Sequence, residues 1–148
     1  MSIKDDVQQA IKEAMKNRDQ LRLECLRMAK AALLLKEKAG SKDDALSDED
    51  AITTLRAEAK KRQQSIETYA ELGKMEEVEN LKVEVSVLES FLPQQLSEEQ
   101  VKERVMAYLA ANPDVNHPGK LTGAIKKELG DLVDGKVLNA VCRAALEG

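Results

Sequence analysis

The sequence predicts an all-α protein. Leu, Ala, Val, Glu and Lys dominate, while aromatic residues make up only 2% and tryptophan is absent. Straight-chain residues lose little rotamer freedom in a helix, so this palette favours helices. Three prolines and no alternating β-branched run argue against a sheet. The cleanest periodic signal is Val78, Leu81, Val85, Leu88 and Leu92, at helical steps over about four turns.

The elements follow in chain order. Ser2 with Asp5 three residues later marks a helix start, continued by Ile3, Val7, Ala10, Ile11, Ala14 and Met15. Asn17-Arg18-Asp19 breaks or bends it, and Leu21, Leu26, Ala29 and Leu33 carry a second helix. Gly40-Ser41-Lys42-Asp43-Asp44 is expected to be a solvated turn. Ser47 caps a third helix, with Asp48, Glu49 and Asp50 where the dipole favours acids. Its expected buried stripe is Ile52, Leu55, Ala59, Ile66 and Tyr69, and Gly73 ends it.

Pro93 stops the fourth helix, and Ser97 with Gln100 gives a capping-box signature for the next. The domain boundary therefore falls at Pro93-Gln94-Gln95, between a helical N-terminal domain (1–93) of about four helices and a smaller domain (94–148). In the second, three short helices are expected at Val101–Leu109, Leu121–Leu129 and Val137–Leu146. They would form a small bundle.

Several functional classes are excluded by composition. A formal net charge of −4 does not suit a polybasic protein that coats DNA or RNA by bulk electrostatics. Tyr69, Phe91 and Tyr108 are too few for a single-strand stacking platform, so an RNA partner would be folded and read through its phosphates. No DNA partner is expected. The longest apolar run, Ala31 to Leu35, is far too short to span a membrane. No signal peptide is expected ahead of the first helix, and Cys25 and Cys142 lie far apart without a CxxC spacing, so a cytoplasmic setting is expected with two thiols buried or half-buried.

No catalytic residue is assigned. The lone His117 sits in a loop beside Pro118 without a motif around it, and neither cysteine is prepared as a nucleophile. Asp43-Asp44 and Asp48-Glu49-Asp50 lack the glycine and spacing of a calcium loop, so no metal site is expected. Neither GxxxxGK[ST] nor GxGxxG occurs, and no cofactor is expected.

The candidate binding residues cluster near the C-terminus. Gly119-Lys120-Leu121-Thr122-Gly123 and Asp134-Gly135-Lys136 each open a helix. A helix start offers unpaired N–H groups and partial positive charge to a phosphate. A 100° step puts Leu121, Ile125 and Leu129 on a core face, with Lys120, Gly123 and Lys127 opposite. On the last helix Val137, Val141 and Ala144 are expected inward, with Lys136 and Arg143 sharing a flank. From spacing alone, exposed lysine is more simply a solvated face. A second basic set, Arg56, Lys60, Lys61 and Arg62 with Arg22, Arg27 and Lys30, has acids close by and is read as surface ion pairs.

These pieces join into a pattern. Leu21-Arg22, Leu26-Arg27-Met28, Lys60, Arg62, Ser65-Ile66-Glu67 and Tyr69 come first. Phe91-Leu92-Pro93-Gln94-Gln95-Leu96-Ser97-Glu98-Glu99, then Gly119-Lys120-Leu121, Gly123 and Asp134-Gly135-Lys136, follow. In this order the chain resembles the YqeY family, also called the GatB/YqeY-domain proteins, over nearly its whole length. The resemblance implies a C-terminal three-helix bundle similar to the tail domain of the B subunit of tRNA-dependent amidotransferases. Those enzymes amidate Glu or Asp misacylated on tRNA, with glutamine as amide donor, and the tail helps hold the tRNA.

By that resemblance Gly119, Lys120, Leu121 and Gly123 fall on the tail's Gly-Lys-Leu-x-Gly, Lys127 on the basic residue closing it, and Lys136 on the lysine opening the last helix. Where the family usually has a Lys-Gly-Lys/Arg stretch, this chain has Gly130-Asp131-Leu132. The expected function is a non-catalytic accessory protein binding tRNA, or associated with tRNA-amidation machinery, through Gly119, Lys120, Gly123, Lys127, Lys136 and Arg143. The family's link to glutamine-dependent carbon–nitrogen ligases is by association, since no acyl-activating site is visible. The alternative is a helical protein–protein interaction module.

Overall fold

A computed structural model describes residues 2–40 and 45–147, so the Ser41–Asp44 part of the expected turn lies outside the described residues. Within them are seven α-helices, one short 3₁₀ turn and no strand. The chain divides into two compact units, Met1–Leu92 and Pro93–Gly148. Each has its own apolar cluster.

In the first unit, α1 (Ile3–Lys16) opens with a complete capping box between Ser2 and Asp5. It closes at Asn17, and Arg18 adopts φ 55°. The amide of Arg18 donates to Met15 O (3.2 Å) and that of Asp19 to Ala14 O (3.0 Å), the paired bonds of a left-handed helix end. The Asp19 carboxylate then accepts from Arg22 N and starts α2 (Gln20–Ala39). Three residues thus stop one helix and begin the next.

Ser47 caps α3 (Asp48–Glu71), accepting from Asp50 N at 3.1 Å. Gly73, at φ 73°, terminates it through Gly73 N–Ala70 O and Lys74 N–Tyr69 O bonds. The chain then reverses into α4 (Met75–Glu89). Leu26, Leu33, Leu55 and Leu88 are fully buried where these helices pack. Each such side chain contributes about 1.5–3 kcal/mol over an exposed one.

Three expectations need correction here. Ile66 and Tyr69 are only half-buried, and the centre of the α3 stripe is Arg62, 7% exposed. Arg62 is therefore not a surface ion pair. Its Nε faces Glu84 Oε1 at 3.4 Å, Nη1 donates to Glu58 O at 3.0 Å, and Nη2 lies 3.7 Å from Met28 Sδ. Finally, α4 stops at Glu89, so half-buried Leu92 lies in a turn rather than on the helix.

The second unit holds α5 (Glu98–Ala111), α6 (Pro118–Leu129), the 3₁₀ turn Gly130–Leu132 and α7 (Gly135–Glu147). Each helix begins earlier than its apolar periodicity predicts, because the cap precedes the first buried residue. Ser97 and Gln100 form the expected capping box of α5. On α7 the register differs from expectation: Leu138, Val141 and Cys142 are buried, Val137 is half-buried and Ala144 is exposed. A Leu138–Val141–Cys142 stripe hides more apolar area than one ending on alanine.

Candidate nucleic-acid interface

The start of α6 is built by His117. Its Nδ1 accepts from Gly119 N at 3.1 Å, making the lone histidine an N-cap rather than a free loop side chain. Pro118 follows at the first helical position, where a missing N–H costs nothing. A Cβ on Gly119 would lie 3.0 Å from the imidazole, a tight contact that would push the cap side chain by a few tenths of an ångström. Leu121, Ile125 and Leu129 are buried, as the spacing predicts.

Lys120, Gly123 and Lys127 are all exposed on the other side of α6. Seven residues separate the two lysines, which places them about 10 Å apart along one face. Among the described residues no hydrogen bond or ion pair engages Lys120, Lys127 or Arg143. Gly123 has open space around the position of a Cβ. Its φ is not positive, so neither packing nor backbone conformation requires glycine there. A mid-helix glycine costs about 0.5–1 kcal/mol relative to alanine. The consequence is a flat strip of backbone between two cations.

On α7, Lys136 is exposed in the first turn and Arg143 two turns later. Asp134 Oδ2 accepts from Val137 N at 3.3 Å and so already supplies the anion favoured at that helix start. At the start of α6, Pro118 has no N–H and that of Gly119 is engaged by His117. The expectation of two amide-rich helix starts is narrowed accordingly. What this unit offers a phosphate is chiefly side-chain cations.

The Gly130-Asp131-Leu132 segment has a different role. Gly130 closes α6 at φ 56°, ψ −125°, a conformation open essentially to glycine alone. Gln95 Nε2 donates to Asp131 O (3.0 Å), Leu96 N to Leu132 O (2.7 Å) and Lys126 Nζ to Val133 O (3.2 Å). The segment is a latch that fastens the segment leading into α5 to the α6–α7 connection. Lys126 belongs to that latch.

The thiols are not poised for chemistry. Burial pushes Cys25 up to about 11, outweighing the opposing pull of Arg62. Burial also raises Cys142, with the neighbouring Thr122 hydroxyl partly offsetting it. Among the described residues no group of three His, Cys, Asp or Glu side chains is placed to hold a metal ion. No helix is long and apolar enough to cross a membrane.

Sequence reasoning missed the His117 cap, although a polar side chain followed by Pro-Gly ahead of an apolar series is a readable helix start. It also missed the latch, whose partners are distant in sequence. No curated protein matches the chain. The family model for Yqey-like proteins matches residues 4–146, spanning both units. The chain belongs to the YqeY family.

Proposed function

We propose that this protein is a non-catalytic RNA-holding factor whose C-terminal helices grip folded tRNA by its phosphates. The supporting observation is Gly123, an exposed glycine with no role in packing, set between Lys120 and Lys127 on one face of α6. A flat backbone strip flanked by two cations admits a ribose-phosphate chain to close range. Lys136 and Arg143 extend the cationic surface onto α7. Gly119 contributes by fixing the His117 cap that starts α6.

The resemblance of this unit to the amidotransferase tail supports tRNA as the RNA, and tRNA amidation as the setting. In this reading, amide transfer is performed by other proteins. Buried, neutral thiols and a histidine occupied as a helix cap accord with that division.

Charge reversal tests the proposal. Lys120→Glu, Lys127→Glu and Lys136→Glu in one chain should reduce retention of folded tRNA at low salt at least tenfold. Lys12→Glu, on the exposed side of α1, should leave it unchanged. Absence of measurable binding by the parent protein at low salt would end the proposal.

A further inference from the structure

Helix α2 has two apolar stripes. One, through Leu23, Leu26, Ala29 and Leu33, is buried in the first unit. The other runs through Met28, Ala31, Ala32, Leu35 and Ala39, spanning three helical turns, or about 16 Å. Leu35 is 73% exposed and Met28 55%. With the facing part of α3 this second stripe lines an open groove of about 650 Å³.

The groove is mainly apolar, although Glu58 is also among its lining. Thr53 and Thr54 line it, but their hydroxyls donate to Glu49 O (3.1 Å) and Asp50 O (2.8 Å) of their own helix. Alanines on both helices permit close approach of another backbone. Two exposed lysines, Lys36 and Lys61, stand at its margin, the second 3.1 Å from Glu58. An occupant should therefore be apolar with acidic flanks.

The same unit carries such a feature. Its other exposed large apolar side chains are Leu72 (64%) and Met75 (55%) at the α3–α4 turn, with Val83 (46%) midway along α4 and Met15 standing apart on α1. Exposed Glu71, Glu76 and Glu77 surround Leu72 and Met75. The one cation in the turn, Lys74, lies over the Tyr69 ring at 6.0 Å. The groove meets the first half of α3, and the acidic apolar turn lies at its far end. Two copies running antiparallel along α3 would therefore bring each turn to the other's groove. That arrangement closes on itself with two-fold symmetry.

We propose that the first unit is a self-association surface, in which the α3–α4 turn of one copy docks in the α2–α3 groove of a second. This inference is independent of the RNA reading, since it uses none of its residues.

Sedimentation velocity on the full chain, from micromolar to low-millimolar concentration, tests it. The parent should show a growing dimer population. Leu35→Glu should remain monomeric throughout, with unchanged helical circular dichroism because Leu35 is exposed. Lys36→Glu with Lys61→Glu should weaken the dimer at least tenfold, and adding Glu76→Lys and Glu77→Lys should restore it. Mild oxidation of a mixture of Leu35→Cys and Leu72→Cys chains should give a disulfide-linked heterodimer, because native Cys25 and Cys142 are buried. A parent that stays monomeric, a dimer indifferent to Leu35→Glu, or a dimer that does not cross-link between these positions would each overturn the proposal.

Discussion

A buried arginine in the first unit and exposed lysines in the second put positive charge to different uses. In α3 one cation is built into the structure, Arg62, buried against Glu84, whereas Lys61 and Lys82 make exposed pairs with Glu58 and Glu79 that add little to stability. In α6 and α7, Lys120, Lys127 and Arg143 stand exposed without an ion-pair partner among the described residues. A charge satisfied inside a fold contributes to stability and is unavailable to a ligand. A charge left in water adds little to stability and remains available. In this chain the contrast separates a structural cation from the candidate binding residues.

Breaking the N-terminal side of that contrast should have the largest effect. Arg62→Ala leaves part-buried Glu84 without its partner and should destabilise the first unit by about 3–5 kcal/mol. Faster amide hydrogen exchange in α3 and α4 would report it. Replacing the pair together, Arg62→Met with Glu84→Gln, should recover most of the loss. If the single substitution proves neutral, the pair is not structural.

In the second unit the comparable lesion is geometric. Gly130→Ala forces a Cβ into a glycine-only conformation, and should cost about 1–3 kcal/mol of that unit's stability. The loss should appear as faster exchange of the Leu96 amide, which the latch protects. Charge reversal at Lys120 and Lys127, by contrast, should leave this exchange unchanged.

Gly123 sharpens the comparison further, because stability and binding should move in opposite directions. Gly123→Ala should stabilise α6 by about 0.5–1 kcal/mol in thermal or urea unfolding. Gly123→Gln should weaken tRNA binding by covering the strip between the lysines. A glycine retained only for folding would show neither effect.

The last effect is a pH dependence, absent near neutrality. Cys25 is held neutral in the fold up to about 11, above the ordinary thiol value of 9.0. Its contribution is therefore fully present below pH 9 and is lost as pH rises toward 11. Stability measured across that window should fall for the parent and fall less for Cys25→Ala. Below pH 9 the native thiol should also resist modification that the unfolded chain undergoes readily.

What the sequence revealed depended on how local the physics is. Ser2, Ser47 and Ser97 were legible as caps because a cap and its partner lie within one turn. The burial of Arg62 was not legible, because the Glu84 that makes it tolerable is 22 residues away. Periodicity could place Lys120, Gly123 and Lys127 on one face of α6. It could not show that Gly119 serves the His117 cap while Gly123 serves no contact in the fold.

Gln95, Leu96 and Ser97 within the family signature turn out to build the latch and the α5 cap. Recognition of the family thus rested partly on residues that fold the chain. The residues proposed to act are fewer and plainer.

The salt dependence of tRNA binding by the intact protein tests the central claim most directly. Contacts through Lys120, Lys127, Lys136 and Arg143 predict a log–log slope of about −3 to −4, falling by about one for each lysine removed. A parent slope near zero, or one that the lysine substitutions leave unchanged, would contradict a phosphate grip by these helices.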